Sequence, residues 1–283
     1  MKLLTIVVCY YPNAELERNV QSYAQISDEL IIWDNTPRQS QLVSLKEVLG
    51  IKDDQIMSTG KNEGLAYPYN RAYEIALKTN CSHVMTMDQD SCFVNASEYR
   101  AYMEQKLDEG FNGMFVPKIN SEICPNQFRF LSYAAQSGCV FPCAMLQQIG
   151  TFREDFFIGM VDAEIQLRAE QYGYKIMEIS GVNLRHQVGS GRKIKFMGKI
   201  ISPNDYGPLR NYYDSRNRIL MWHEFPNDYN TIGKIKFLFG RIKQCLKILL
   251  VGDKKWLRIS AIIRGTWNGL TNKTIPYKTL DMG

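Results

Sequence analysis

The sequence predicts an α/β fold with a doubly wound, mostly parallel central sheet, followed by a basic helical extension at the C-terminus. Two observations predict the sheet. Short apolar runs alternate with helical patterns through the first half of the chain. These runs are apolar at nearly every position, which is typical of parallel strands buried on both faces. Charge indicates the extension, because residues 231–283 hold 11 Lys/Arg and 2 Asp/Glu whereas residues 1–230 hold 23 and 27.

The same patterns place each element along the chain. Strands are expected at residues 3–10, 29–35, 55–60 and 83–87, and helices at residues 67–78 and 96–109. Residues 137–146 are expected to form a strand that leads into a helix. Asp162 is a candidate cap for a helix over residues 163–172, because Asp accepts hydrogen bonds from the amides of a first helical turn, and Gly173 then ends that helix.

The composition is that of a globular chain. Its 283 residues are 45% apolar and 22% charged, enough for one large domain, or a domain with an appendage, around a sizeable core. The seven cysteines form no C-x-x-C pair, and we expect reduced thiols in a cytosolic setting. The opening MKLLTIVVCYY favours a first strand over a signal peptide. No run approaches the ~20 apolar residues that span a bilayer.

Polar side chains stand at the carboxyl ends of three expected strands. Tyr10 ends the first strand, Asp34 and Asn35 end the second, and Asp88 and Asp90 end the fourth. Ligands of open parallel sheets bind beyond these ends. The chain has neither the G-x-G-x-x-G nor the Walker phosphate loop. We therefore expect a divalent metal, held by Asp88 and Asp90, to neutralise the charge of a bound diphosphate.

Several stretches, taken in order, resemble glycosyltransferase family 2. They are VVCYYPNAELERNVQSY, KNEGLAYPYNRA, MTMDQDS, IGTFREDFFIGMVDAEIQLRAEQYGYKI, RHQVGSG and NYYDSRN. This family contains nucleotide-sugar-dependent enzymes with the GT-A fold. The D-Q-D-S form of the D-x-D motif and the terminal IIRGTWNGLTNK are similar to bacterial rhamnosyltransferase-like enzymes of O-antigen and capsule assembly. The resemblance implies a GT-A domain over residues 1–225, with a nucleotide-binding half (1–95) and an acceptor-side half (96–225), and a basic tail over 226–283.

The resemblance also implies roles in catalysis. Asp90 would coordinate Mg²⁺ or Mn²⁺ bridging the donor diphosphate, with Asp88 nearer the ribose or sugar. His186 would complete the metal shell, unless it is a structural histidine in a loop. Asp162 would act as general base on the acceptor hydroxyl, and Glu164 would orient the acceptor or share that role. A helix cap is the alternative for Asp162, and the two roles are compatible.

Further positions would bind the nucleotide sugar. In the related enzymes the counterparts of Tyr10, Asp34 and Asn35 grip the base and ribose, and those of Asn62, Gly64 and Asn70 pack over the nucleotide. For Asn62 and Asn70, capping of a turn or helix is an equally good interpretation. Arg216 would clamp the diphosphate, and the alternative is an internal ion pair with Asp214 or Glu224.

The resemblance implies an inverting, metal-dependent transferase. We expect it to move L-rhamnose from dTDP-β-L-rhamnose to a saccharide or polyprenyl-linked saccharide acceptor. One alternative is another donor, such as a UDP-hexose or UDP-galactofuranose. Another is a non-catalytic sugar-nucleotide-binding assembly protein, although Asp90 and Asp162 are retained. The sequence leaves the oligomeric state open.

The basic tail is expected to form an amphipathic helix over residues 231–251. With the aromatic and basic residues that follow, residues 231–264 fit an anionic membrane surface, on the inner face of the cytoplasmic membrane. The alternative is a helix that packs its apolar face on the core and leaves its lysines in water. Nucleic acid is not an expected partner, because the body of the chain is acidic and no aromatic–basic sheet motif is present.

Overall fold

A computed structural model describes most of the chain, in two compact units. The described residues are 1–37, 42, 51–186, 194–196, 199–201 and 206–277, without the side chains of 53, 194–196, 199–201 and 251. The first unit comprises Met1–Glu154 and Ile165–Gln187, and the second comprises Asp155–Glu164 and Val188–Gly283. The domain boundary predicted near residue 225 stays a prediction.

The first unit is built on a nine-stranded sheet in the order β3-β2-β1-β4-β8-β6-β9-β5, with β7 also paired to β9. The strands are β1 (Leu3–Cys9), β2 (Glu29–Asp34), β3 (Ile56–Met57), β4 (His83–Asp88), β5 (Ser91–Phe93), β6 (Met114–Ile119), β7 (Phe128–Leu131), β8 (Cys139–Pro142) and β9 (Ile176–His186). The helices are α1 (Glu15–Ala24), α2 (Ala66–Lys78), α3 (Ala96–Asp108), α4 (Cys143–Ile149) and α5 (Val161–Gln171), of which α5 begins in the second unit.

Parallel pairing aligns the carboxyl ends of the first strands. β1 is buried along its whole length and pairs in parallel with both β2 and β4. In this register Cys9 lies opposite Asp34, and Val8 lies opposite Asp88. The two acidic positions predicted from separate strand ends are therefore brought to one edge of the sheet. The predicted α/β class with its central sheet is confirmed.

The second half of the sheet is mixed. β8 runs antiparallel to β4 and β6, and β5 and β7 run antiparallel to β9. Antiparallel neighbours need no crossover helix, and residues 120–138 contain none. The expected strand-then-helix at residues 137–146 is present as β8 followed by α4.

Helix α5 begins two residues before its predicted start. Asp162 consequently lies in the first turn rather than at the cap, where a carboxylate still favours the positive end of the helix dipole. The other end agrees with the sequence: the amides of Gly173 and Tyr174 close the helix on the carbonyls of Glu170 and Ala169.

Besides the first turn of α5, the described residues of the second unit form a pair of antiparallel strands and three helices. β10 (Ile194–Phe196) pairs with β11 (Lys199–Ile201), and α6 (Pro208–Glu224), α7 (Thr231–Val251) and α8 (Lys255–Leu270) follow. α8 packs closely on α6, because a Cβ added at Gly265 would lie 2.3 Å from the carbonyl oxygen of Tyr212. Among the described residues, none of the helices combines the length and apolar character needed to cross a membrane.

Candidate active site

Two carboxylates and one imidazole meet at the carboxyl edge of the sheet. Asp88 ends β4, Asp90 precedes β5, and the antiparallel pairing of β5 with β9 sets Ser91 opposite His186. Ligand atoms of Asp88, Asp90 and His186 all lie within 4.8 Å of one another. His186 Nδ1 is 3.3 Å from Asp90 Oδ1 and 2.8 Å from Ser91 Oγ. The sequence had predicted these three residues from two stretches almost a hundred residues apart.

The electrostatics of this cluster favour a cation. The hydrogen bond that Asp90 accepts from His186 raises the pKa of the imidazole, and the charges of Asp90 and Asp88 act in the same direction against the opposing effect of burial. The cluster therefore holds a proton more firmly than an isolated imidazole does. A metal ion bound here has to displace that proton.

Gln89, between the two acids, joins this turn to the loop that follows β1. Its Oε1 accepts from the Tyr10 backbone amide at 2.8 Å, and its Nε2 donates to the Tyr10 carbonyl at 3.1 Å. Asn19 Nδ2 donates to the Gln89 carbonyl at 2.9 Å, which ties the same turn to α1. Sequence reasoning missed Gln89, and its place inside the D-x-D motif was the only local signal.

Asn120, directly after β6, and Ser137, shortly before β8, position the cluster, and neither was predicted. Asn120 Nδ2 donates to the His186 carbonyl at 2.7 Å, and the His186 amide donates to Asn120 Oδ1 at 3.0 Å. Ser137 Oγ donates to Ser91 Oγ at 2.7 Å and accepts from the Asp88 amide at 3.1 Å. These bonds hold the backbone at Asp88 and at His186, and the side chain of Ser91 next to Asp90, in place.

Asp34 presents a buried carboxylate at the same edge of the sheet. Its side chain is 0% exposed, and Oδ1 accepts from the Thr36 amide at 2.8 Å. Oδ2 has no hydrogen-bond partner among the described residues. A buried carboxylate oxygen without a donor is costly, so a ligand N–H or O–H here would be favourable. Tyr10 and Tyr11 follow Cys9, the residue paired with Asp34 in the sheet. Their rings are exposed and form an edge-to-face pair with centroids 4.6 Å apart.

Asn35, Asn62 and Gly64 shape the loop before α2. Asn35 Oδ1 accepts from the Trp33 indole and the Glu63 amide, and its Nδ2 donates to the Gly64 carbonyl at 2.6 Å. Asn62 Oδ1 accepts from the Gly64 amide at 3.0 Å. Gly64 has a φ of +75°, a conformation that favours glycine. The geometry therefore gives Asn35 and Asn62 structural roles, and their ligand contacts stay predictions.

Asn70 holds the segment after α4 in place. Its amide donates to the Phe152 carbonyl at 3.0 Å and to Glu154 Oε1 at 2.8 Å, and Oδ1 accepts from the Phe152 amide at 2.9 Å. The side chain is buried. Its predicted contact with the nucleotide stays a prediction beside this structural role.

Arg216 lies fully buried on α6 in the second unit. Its guanidinium donates to the Ile275 carbonyl at 2.8 Å, to Asn217 Oδ1 at 2.9 Å and to the Asp155 carbonyl. Burial lowers the pKa of this guanidinium. These three bonds are to carbonyl and amide oxygens, and the predicted contact of Arg216 with a diphosphate stays a prediction. Asp214, the expected alternative partner, pairs with Arg241 at 2.7 Å.

Asp162 and Glu164 occupy the first turn of α5, in the part that belongs to the second unit. Asp162 Oδ1 accepts from the Ala163 amide at 2.9 Å and the side chain is partly buried. Glu164 is almost completely buried at 2% exposure. The roles predicted for this pair in acceptor activation stay predictions.

Comparison with known proteins identifies the fold. No family model matches the sequence. A curated relative, the dTDP-rhamnosyl transferase RfbF of Shigella flexneri, is 23% identical over 241 residues, which are 77% of this chain and 79% of the relative. Among solved structures, S. aureus TarS matches 78% of this chain with a TM-score of 0.52 and 17% identity. GalNAc-T7 with UDP, GalNAc and Mn²⁺ matches 99% with a TM-score of 0.56 and 11% identity.

The chain has the GT-A fold of glycosyltransferases. It spans 39% of the TarS chain and 59% of the GalNAc-T7 chain. The predicted fold and enzyme class are confirmed at this level, and the names of the similar proteins support the predicted class of nucleotide-sugar donor. Within the described part of the chain, Asp88, Asp90 and His186 form a cluster with the donor set of a metal site.

Proposed function

We propose that this glycosyltransferase is an inverting, metal-dependent enzyme that moves L-rhamnose from dTDP-β-L-rhamnose to a saccharide or lipid-linked saccharide acceptor, in bacterial cell-surface polysaccharide synthesis. The observation that carries the proposal is the cluster of Asp88, Asp90 and His186 at the carboxyl edge of parallel strands. The similarity to the dTDP-rhamnosyl transferase RfbF supports the choice of donor. The enzyme would work on the cytoplasmic side of the membrane.

The donor set of the cluster fits Mg²⁺ or Mn²⁺. Carboxylate oxygens are the ligands that these hard cations prefer, and a single imidazole is compatible with Mn²⁺. Asp90 and His186 would hold the ion, with Asp88 beside them. When bound, the ion would stabilise the negative charge of the departing nucleoside diphosphate. GalNAc-T7, a more distant likeness, was solved with Mn²⁺.

The residues of the protein bind and orient the donor. The unpartnered Oδ2 of Asp34 would accept a hydrogen bond from the base or the ribose. Tyr10, which is 48% exposed, would offer a ring face for stacking while Gln89 holds its backbone. These contacts would fix the nucleotide relative to the acidic turn and so orient the anomeric carbon.

Asp162 would act as the general base. Its carboxylate would take the proton from an acceptor hydroxyl as that oxygen forms a bond to the anomeric carbon. The bond from the anomeric carbon to the diphosphate oxygen breaks in the same displacement, which inverts the configuration. Glu164, the buried acid of the same helical turn, would orient the acceptor.

Calorimetric titration with dTDP, UDP and GDP, each with and without Mn²⁺, tests the proposal. We expect Mn²⁺-dependent binding with dTDP preferred, and loss of the Mn²⁺ dependence in Asp90→Ala. Asp108→Ala, an exposed acid at the end of α3, is the matched control and is expected to behave as wild type. Preference for UDP would keep the mechanism but replace the donor with a UDP-hexose or UDP-galactofuranose. Absence of binding by every nucleotide would overturn the transferase proposal in favour of a non-catalytic assembly protein.

A further inference from the structure

Helix α7 exposes a continuous apolar stripe. Seven large apolar side chains along it are each at least 40% exposed to solvent. We call this set the outer stripe: Ile232, Ile235, Phe239, Ile242, Leu246, Leu249 and Leu250. At about 100° per residue, the seven side chains fall within an arc of about 100°. Single exposed apolar residues need no explanation, but a continuous stripe on one helix marks an interaction surface.

The face of α7 that packs on the protein is a different one. Gln244 Nε2 donates to Asn211 Oδ1 at 2.9 Å, and Arg241 pairs with Asp214. Ile248 is 0% exposed. These positions point away from the outer stripe by helical geometry. The apolar face of α7 is therefore largely exposed, and its buried side carries Ile248 together with polar side chains.

Helix α8 has the same arrangement. Its buried side includes Ala261 and Gly265, which pack toward α6. Its opposite side exposes Trp256 at 78%, Ile263 at 60% and Trp267 at 63%. Exposed tryptophans are typical of surfaces that lie where water meets the lipid headgroups, because the ring is apolar and the indole N–H still needs a polar partner.

Charge decides which partner fits the outer stripe. Lys236, Lys243 and Lys247 fall within about 60° along one edge of it. Residues 231–251 and 255–270 contain no Asp or Glu. A second copy of α7 packed on the same stripe would bring Lys236, Lys243 and Lys247 close to the same three lysines of the other copy, with no acid on either helix to pair them. A partner that is both apolar and anionic satisfies the stripe and the lysines together.

We infer that the outer stripe of α7 and the exposed side of α8 dock on the surface of an anionic lipid bilayer. The apolar side chains would enter the boundary between headgroups and acyl chains, and the lysines would contact lipid phosphates. The helices would lie on the membrane and not cross it, in keeping with their limited apolar length. This inference deepens the proposed function by placing the enzyme beside a lipid-linked acceptor, yet its test uses neither donor nor acceptor.

Vesicle co-sedimentation of the full chain tests the docking. The probes are vesicles of phosphatidylcholine alone and vesicles in which about a third of the lipid is phosphatidylglycerol. We expect binding to the anionic vesicles only, weakened by salt. Lys236→Ala/Lys243→Ala/Lys247→Ala should lower the partition coefficient about fivefold for each lysine. Phe239→Ser/Leu246→Ser should lower it by more than about tenfold.

Leu77→Ser is the matched control, because Leu77 on α2 is 49% exposed and distant in sequence from the docking helices. It should bind as wild type. Unchanged binding by Phe239→Ser/Leu246→Ser would overturn the inference. The inference would be overturned in favour of a second copy if the wild-type chain does not bind vesicles and sediments as a dimer, while Phe239→Ser/Leu246→Ser sediments as a monomer. Loss of vesicle binding by Phe239→Ser/Leu246→Ser, with Mn²⁺-dependent nucleotide binding unchanged in the same variant, would support docking independently of the catalytic proposal.

Tryptophan fluorescence gives a second reading of the same surface. Trp33 and Trp222 are buried at 4% and 8% exposure, whereas Trp256 and Trp267 are the exposed pair on α8. Brominated lipids in anionic vesicles should therefore quench part of the emission and leave the buried part. Quenching that is equal for Trp256→Phe/Trp267→Phe and wild type would contradict docking through α8.

Discussion

Replacing Gln89 by alanine should weaken metal binding without removing a metal ligand. The substitution deletes two hydrogen bonds, one of 2.8 Å from the Tyr10 amide and one of 3.1 Å to the Tyr10 carbonyl. The bond from Asn19 to the Gln89 carbonyl involves only backbone atoms of Gln89 and remains possible. The turn carrying Asp88 and Asp90 would then lose its side-chain connection to the loop after β1.

The size of the effect follows from the two bonds. A neutral hydrogen bond contributes about 0.5–1.5 kcal/mol net, so two contribute about 1–3 kcal/mol. Tyr10 is 48% exposed, and water replaces part of what is lost, which favours the lower half of that range. If this free energy is lost from the conformation that binds the metal, a loss of about 1.4 kcal/mol raises the dissociation constant for Mn²⁺ tenfold.

Calorimetric titration of Mn²⁺ into the enzyme with saturating dTDP measures this directly. Gln105→Ala is the control. It deletes one exposed hydrogen bond, to Glu109, near the C-terminal end of α3 and outside the turn that carries Asp88 and Asp90. We expect Gln89→Ala to raise the Mn²⁺ dissociation constant about tenfold and to require more metal for half-maximal turnover, with Gln105→Ala unchanged. Equal Mn²⁺ affinity in both variants would refute the role given to Gln89, even if both fold less stably.

Three further outcomes are expected. Burial lowers the pKa of His83 to about 4 from an ordinary 6.5, so the unfolded state binds a proton at a higher pH than the folded state does. As the pH falls from about 6.5 to 4, the free energy of unfolding should therefore fall by roughly 2–4 kcal/mol. Urea unfolding of His83→Gln, measured over the same pH range, should lose that dependence. Asp162→Asn should lower kcat by about 10²–10⁴ with donor affinity unchanged, and full activity in this variant would reject Asp162 as the base. Gly265→Ala should cost about 1–3 kcal/mol in urea unfolding, since its Cβ would meet the Tyr212 carbonyl, whereas Gly240→Ala, with nothing within 4 Å, should not destabilise.

Most elements of the first half were predictable because the apolar runs of β1, β2 and β4 are buried along nearly their whole length. The strand expected at residues 55–60 is shorter, because β3 covers only the half-buried Ile56–Met57. Residues 83–87 were expected as a strand, and β4 covers His83–Asp88. Once these strands are known to be parallel, their carboxyl ends must share one edge, which is why Asp34 and Asp88 could be placed together. The physical cause is local: continuous apolar character is favourable only where both faces of a strand are covered.

The supporting residues of the site could not be predicted, because their partners are backbone groups distant in sequence. Gln89 bonds to Tyr10, and Asn120 bonds to the backbone of His186, 66 residues further along the chain. Such bonds leave no periodic trace in the sequence. Periodicity likewise predicted one apolar arc for the tail but not which side of α7 faces α6. That side is set by contacts between residues distant in sequence, such as Arg241 with Asp214.

The late position of β9 in the chain gives the site an order of assembly during synthesis. His186 is its last residue, and the chain must grow by 96 residues after Asp90 before the imidazole exists. At about 5–20 residues per second, this takes roughly 5–20 s. Throughout that interval Asp88 and Asp90 are neighbouring like charges without the histidine that pairs with them. A nascent chain therefore carries only part of the proposed ligand set, and we expect tight metal binding only after the chain has grown through β9.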